Sequence, residues 1–305
     1  MVYDRRHYVP AALLGHFSDN PDLRSLRKSV LSVHRFSPEV DFTNSAENLA
    51  SSRELYRQHL FDGLDMDRYL AGGENHALEP IEVIETSSSG AIPLREWAKV
   101  AYFVASQVVR NPDREREIAA LAAEEIGLHV AAPGYPIDLP RVAAAVVRAR
   151  WEFVSSAKDF IVNDRAIATV QFGDWGMRGY FIPVRKRVGF RIGGLLSKAI
   201  TWSGRAWEID IPIRRIPDDQ VDNLNAWTWA SAVEEVYGPT PEALREASAI
   251  GDDIREHIPD LASYSRGAEL LGLDGQGRRD GETLLRKLFG LAAADVNGDP
   301  PQYRA

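Results

Sequence analysis

The chain has 305 residues, of which 45% are hydrophobic and 26% charged, a balance typical of a globular protein with a sizeable core. Cysteine is absent, which excludes disulfides, thiolate metal sites and cysteine nucleophiles. The formal net charge of −8 disfavours a general nucleic-acid binder but leaves room for a local basic groove. No apolar run is long enough to span a bilayer, and the first ten residues lack the apolar segment of a secretory signal. We therefore expect a cytoplasmic protein with no membrane partner.

The first sixty residues predict short elements around an extended segment. Pro10 fixes its own φ and favours extended backbone before it, so His7 and Tyr8 should lie on extended chain that leads into a short helix. The β-branched residues of segment 30–36 predict a strand. Asn44 or Ser45 can then cap a helix over residues 44–61.

Helical patterns continue in the middle and at the end of the chain. The spacing of apolar residues, with helix start and stop signals, predicts helices over residues 76–91, 94–110, 113–126, 141–157, 218–237, 240–257 and 281–293. In the first of these, Glu79, Glu82 and Glu85 recur every three residues. Three neighbouring carboxylates repel one another unless they are solvated, paired or bound to a cation. The acidic helix is therefore a candidate site.

Between residues 159 and 215 the pattern changes to short apolar segments separated by glycines. Such punctuation is typical of an antiparallel meander rather than of alternating strands and helices. The sequence thus predicts the α+β class: a mostly helical single domain with an antiparallel β-meander inserted near residues 159–215. We expect this domain to occupy residues 1–257, with a C-terminal helical extension and loose tail over 258–305.

Several short motifs lie in a fixed order along the chain. They are His7-Tyr8-Val9-Pro10 with Leu13-Leu14 and Phe17-Ser18, Asn44 to Ala50 with Tyr56, Ile84-Glu85, Gln107 with Arg110-Asn111-Pro112, Phe160 to Asp164, Phe181-Ile182-Pro183, and Asn225. Over roughly residues 5–240 they resemble a bacterial family catalogued as domain of unknown function 4238, which opens with the same HYVP motif. This chain departs from the family at Val162-Asn163, where Thr-Ser is usual, and at Arg165. The family implies no established activity.

The polar residues that match the family are candidates for either a buried network or a site. They are His7, Tyr8, Glu85, Gln107, Arg110, Asp164 and Asn225. One imidazole and two carboxylates suit a divalent cation as well as general acid–base work, so His7, Glu85 and Asp164 are the predicted catalytic residues and metal ligands. The resemblance leaves the other four, Tyr8, Gln107, Arg110 and Asn225, to bind substrate.

Three classes of function fit these residues. The first is a hydrolase-type enzyme, metal-dependent, that acts on a phosphoester or nucleic acid; it predicts a basic groove lined by Arg24, Arg27, Lys28, Lys186 or Arg187. The second is a small-molecule enzyme of specialised metabolism that uses the same pocket. The third is a non-catalytic binding or interaction module with a buried polar network. We take the hydrolase as the leading hypothesis.

Overall fold

The computed structural model of the protein describes residues 6–7, 9–52, 80–86, 91–109, 146, 149–173, 177–195, 201–202 and 207–257. Its helices are α1 (Ala11–Gly15), α2 (80–86), α3 (Leu94–Val109), α4 (Asp218–Ala230) and α5 (Pro241–His257). Its strands are β1 (Arg6–His7), β2 (Val30–Phe36), β3 (Glu39–Ser45), β4 (Ser51–Ser52), β5 (Ala91–Pro93), β6 (Ala149–Ser155), β7 (Val162–Asn163), β8 (Ala168–Phe172), β9 (Met177–Arg185), β10 (Val188–Leu195), β11 (Thr201–Trp202), β12 (Trp207–Asp210), β13 (Ile213–Arg215) and β14 (Glu235–Gly238). No helix in these ranges is long and apolar enough to cross a membrane.

The strands form three sheets of three or more strands and one two-stranded pairing, β1–β4. The largest sheet has the order β13-β6-β10-β9-β8, in which only the β13–β6 pair is parallel. A four-stranded sheet has the order β3-β2-β14-β7, and a three-stranded sheet has the order β11-β12-β5. Consecutive strands β8, β9 and β10 form an antiparallel meander, which confirms that part of the prediction for residues 159–215. The other strands of this segment do not extend the meander, because β7, β11 and β12 belong to other sheets and β13 pairs in parallel with β6.

Two groups of apolar side chains hold these layers together. The main core joins α1, α3, α4 and the strands of the largest sheet. A smaller cluster lies between α5 and the four-stranded sheet and contains Ile161, Trp229, Ala232, Val236, Leu244 and Ala247. This smaller cluster fixes α5 over one face of β2 and β14, and so shapes the cavity described below.

The prediction of a mostly helical domain is wrong. In the described ranges strand residues are about as many as helical residues, and strands occur well outside residues 159–215. The α+β class itself holds. Periodicity overestimated helix because a strand buried on both faces shows no polar–apolar alternation.

Three of the predicted helices contain strands. Residues 149–155, at the end of the predicted helix 141–157, form β6, which pairs with β10 along one edge and with β13 along the other. The last residues of predicted helix 218–237 belong to β14, which pairs with β2 and β7. The described part of predicted helix 44–61 ends at residue 52: Asn44 and Ser45 end β3, Ala46–Asn48 make a 3-10 turn, and Ser51–Ser52 form β4. In each case pairing with distant strands overrides a local helical pattern.

Other predicted elements are confirmed. The strand at 30–36 is β2, and helices 94–110 and 240–257 correspond to α3 and α5 within a residue or two. Helix α5 begins where expected, because the Thr240 hydroxyl accepts the Ala243 amide hydrogen and Pro241 occupies the first turn. The predicted helices 113–126 and 281–293 and the extension 258–305 lie outside the described residues.

Candidate functional site

The predicted site residues fall in several parts of the fold. His7 belongs to β1 and pairs through its backbone with Ser51, but its side chain, Tyr8 and Arg110 lie outside what the structure describes. Glu85, Gln107, Asp164 and Asn225 are described, and each has its own surroundings. Those surroundings indicate what each residue does in the fold.

Asp164 is buried and connects two elements through hydrogen bonds. Its Oδ1 accepts the Val233 amide hydrogen at 3.1 Å, and its Oδ2 accepts those of Glu234 at 2.6 Å and Glu235 at 3.1 Å. Burial raises the pKa of Asp164 from 3.8 to about 6, although the three amide hydrogen bonds act in the opposite direction. The carboxylate thus fixes the loop between α4 and β14, which agrees with the network interpretation of this residue.

Asn225 performs a similar task from α4. Its Oδ1 accepts the Ile161 amide hydrogen at 3.1 Å, and its Nδ2 donates to the Asp159 carbonyl at 3.0 Å. The amide therefore pairs with the backbone that precedes β7 and supplies hydrogen bonds to polar groups of that segment. Asn225 holds this segment against α4.

Glu85 lies in a surface ion cluster. Arg185 on β9 donates to Glu85 Oε2 at 2.6 Å and to Glu82 Oε1 at 2.8 Å, so one guanidinium pairs with both carboxylates of α2. His16 lies beside this cluster, and burial together with the Arg185 charge lowers its pKa to about 4. His16 is therefore neutral at physiological pH, and Glu85 has an arginine as its partner.

Gln107 is buried in α3 with incomplete hydrogen bonding. Its Nε2 donates to Ser106 Oγ at 3.3 Å, whereas its Oε1 has no partner in the part of the chain that the structure describes. A buried carbonyl oxygen without a donor is costly, so this acceptor is available to a polar group. The predicted role of Gln107 and Arg110 in substrate binding stays a prediction.

The described residues do not bring the predicted metal ligands together. Asp164 binds the loop before β14, whereas Glu85 binds Arg185, and no group of three or more histidines and carboxylates suited to a metal ion occurs in the described ranges. The metal site formed by His7, Glu85 and Asp164 stays a prediction, because the His7 side chain is outside those ranges.

Two cations of the predicted basic groove are paired. Arg187 Nε donates to Asp159 Oδ1 at 2.7 Å, and Lys186 Nζ lies 3.4 Å from Asp19 Oδ1 and 4.0 Å from Asp159 Oδ2. Both side chains project from the turn between β9 and β10, as the sequence indicates. Their positive charge is largely compensated by these aspartates, which weakens the case for a nucleic-acid groove at this turn.

A large cavity lies elsewhere, between the β2–β3 hairpin and α5, and we call it the hairpin–helix cavity. Its volume is 730 Å³, within the usual range for small-molecule sites. The lining residues are Ser32, Val33, His34, Phe36, Glu39, Asp41, Phe42, Thr43, Trp229, Pro241, Leu244, Arg245, Ser248 and Asp252. The antiparallel register pairs Ser32 with Thr43, His34 with Asp41 and Phe36 with Glu39, so these three pairs share one face of the hairpin.

His34 supplies the imidazole among the described residues that line this cavity. Its Nδ1 lies 2.7 Å from Asp41 Oδ1, and when Nδ1 carries the hydrogen, Nε2 is the nitrogen that can accept a proton. The His34 side chain is 12% exposed, whereas that of Asp41 is 75% exposed. Water therefore screens the pair, and Asp41 serves mainly to orient the imidazole ring.

Aromatic packing holds the His34 ring in place. Its centroid is 4.5 Å from Trp229 and 4.8 Å from Phe36, and the Phe36 and Trp229 centroids are 5.2 Å apart. Trp229 is fixed in turn, because its Nε1 donates to Asp252 Oδ1 at 2.7 Å. Gly251 lets α5 approach this indole closely, since a Cβ atom there would lie 2.6 Å from Trp229 Cδ1. The imidazole thus has a defined position in the cavity wall.

The sequence analysis missed this site, although two signals were present. His34 is flanked at two-residue steps by Ser32 and Phe36, which places all three on one face of a strand. Polar residues recur with the same step across the Ser37-Pro38 turn, at Glu39, Asp41 and Thr43. Recognising segment 39–45 as the second strand of a hairpin would have paired His34 with Asp41.

Comparisons with protein-family models, curated proteins and solved structures found no match for this chain. The resemblance to domain of unknown function 4238 therefore stays a prediction, and the function has to be argued from the geometry above.

Proposed function

We propose that the protein is an enzyme that acts on a small organic molecule in the hairpin–helix cavity, with His34 as its general acid–base group. The observation that supports this proposal is the His34–Asp41 pair at 2.7 Å in the wall of a 730 Å³ cavity. An imidazole oriented by a carboxylate is a recurrent proton-transfer device, and its Nε2 can take a proton from water or from a substrate hydroxyl.

The rest of the cavity suits a small ligand rather than a macromolecule. Three aromatic rings line its wall together with hydroxyl and carboxylate groups. Such a wall can pack against the apolar part of a ligand and orient the polar atoms of that ligand. Ser32 and Thr43 lie on the same hairpin face as His34 and can donate or accept hydrogen bonds there. A small-molecule enzyme was also one of the three classes of function that fitted the sequence, but there the pocket was built from a different set of residues.

The test is a turnover screen of the full-length protein with and without a chelator. The substrates are p-nitrophenyl acetate, p-nitrophenyl phosphate and bis(p-nitrophenyl) phosphate, which report ester and phosphoester hydrolysis. We expect chelator-resistant turnover of p-nitrophenyl acetate, the neutral ester, that falls about 100-fold or more in His34→Gln and about tenfold or more in Asp41→Asn; the two anionic phosphoesters test the metal-dependent alternative.

A matched control is available on α5. His257 also lies near an aspartate, with Nδ1 3.3 Å from Asp253 Oδ1, but both side chains are exposed and outside the cavity lining. His257→Gln should leave turnover unchanged. Turnover that survives in His34→Gln would overturn the proposal, and turnover lost on chelation would favour the metal-dependent hydrolase. A panel with no turnover, and no small molecule that shifts the His34 ring resonances, would favour the non-catalytic module.

A further inference from the structure

The carboxylates of the hairpin–helix cavity outnumber its cations. Glu39 and Asp41 come from β3 and Asp252 from α5, so negative charge faces the cavity from two opposite walls. The cation among the described lining residues is Arg245, and its guanidinium donates to Glu242 on the same helix. The described part of the cavity wall therefore has three carboxylates against one arginine, a balance that favours positively charged ligands.

The Phe36 ring, on the same hairpin face as His34, already attracts a cation. The Arg255 guanidinium lies 3.9 Å from its centroid, within the range of a cation–π contact. Arg255 is also held by the Ala232 carbonyl at 2.7 Å and interacts with Asp252, so it compensates part of the negative charge of that carboxylate.

We infer that the ligand of the hairpin–helix cavity is a small organic cation, an amine or guanidine attached to a flat apolar group. The charged end would face the carboxylates of Glu39, Asp41 and Asp252, and the apolar end would pack on Phe36 and the other rings. This inference rests on the proposed function and names the class of its substrate. A protonated amine that carries an aromatic ring can contact both the carboxylates and the aromatic rings of the cavity, whereas a neutral or anionic analogue can contact only the rings.

The experiment compares three probes of similar shape: benzylamine, benzyl alcohol and phenylacetate. Each is titrated into the isotopically labelled full-length protein, and the His34 ring and Trp229 indole resonances report occupancy of the cavity. We expect benzylamine to bind about tenfold more tightly than benzyl alcohol and phenylacetate to bind most weakly. The advantage of benzylamine should shrink in 0.5 M salt, because salt screens exposed charges.

Two variants with the same change in net charge separate local from global electrostatics. Glu39→Gln removes a cavity carboxylate, whereas Glu208→Gln removes one from β12, which does not line the cavity. Loss of the benzylamine preference in the first variant, and its retention in the second, supports the inference. If both variants prefer benzylamine to the same extent, the inference is overturned.

The outcomes also separate this inference from the proposed function. If benzyl alcohol or phenylacetate binds as tightly as benzylamine, the ligand class is wrong but the cavity is still a ligand site. If none of the three probes shifts the His34 or Trp229 resonances, the ligand class is again overturned, and the His34→Gln turnover measurement decides the proposed function separately.

Discussion

Gly251→Ala tests the packing that positions the hairpin–helix cavity. In the native fold, an ideal Cβ at residue 251 would lie 2.6 Å from Trp229 Cδ1 and 2.8 Å from Trp229 Cβ and Cγ. Carbon atoms pack at about 3.5 to 4.0 Å, so α5 and the indole would have to separate by roughly 1 Å. Trp229 is 3% exposed and has little room to retreat.

Two opposing effects set the magnitude. Alanine in a helix interior is favoured over glycine by about 1 kcal/mol. Forcing an extra methyl group into a well-packed contact costs about 1 to 3 kcal/mol, and the separation also strains the hydrogen bond from Trp229 Nε1 to Asp252. We expect a net loss of about 1 to 2 kcal/mol in the free energy of unfolding.

The assay is equilibrium urea unfolding at pH 7, followed by far-ultraviolet circular dichroism. Gly173→Ala is the matched control, because a Cβ at residue 173 would meet nothing within 4 Å, and we expect it to change stability by less than about 0.5 kcal/mol. A Gly251→Ala protein as stable as the wild type would refute the reasoning. It would mean that helix propensity outweighs the contact and that α5 does not rest on Trp229 as described.

Three further predictions concern the residues singled out by the sequence. The Asp164→Ala protein should be less stable than the Asp164→Asn protein by about 2 to 4 kcal/mol in urea unfolding. Alanine leaves three buried amide hydrogens without an acceptor, whereas asparagine keeps one acceptor oxygen. Burial raises the pKa of Asp164 from 3.8 to about 6, so the stability contributed by its protonated form is fully present below pH 4 and is lost as pH rises through 6. The free energy of unfolding of the wild type, relative to Asp164→Asn, should therefore fall by about 2 kcal/mol between pH 4 and pH 7; a difference independent of pH would contradict this. Glu85→Gln should lower the free energy of unfolding, measured by thermal unfolding, by less than about 1 kcal/mol, because solvent screens its partly exposed pair with Arg185. A much larger loss would show that Glu85 does more than pair at the surface.

Local chemistry alone determined several elements of this protein. The cap at Thr240 and the proline at 241 start α5, and the apolar repeat of residues 94–109 makes α3, because each signal acts within a turn or two of helix. The β-branched residues of segment 30–36 likewise suffice for β2. The sequence also singled out Asp164 and Asn225 as constrained polar residues, without indicating what they bind.

Tertiary structure decided the rest. Segments 149–155 and 235–238 are strands because distant strands pair with them on both sides, and their apolar side chains carry no mark of that pairing. His34 becomes part of a candidate site only when the hairpin register brings Asp41 opposite it and α4 delivers Trp229 against its ring. A local pattern records the backbone preference of a segment. The partners of a buried side chain are set by contacts between residues far apart in the chain, and those exist only after folding.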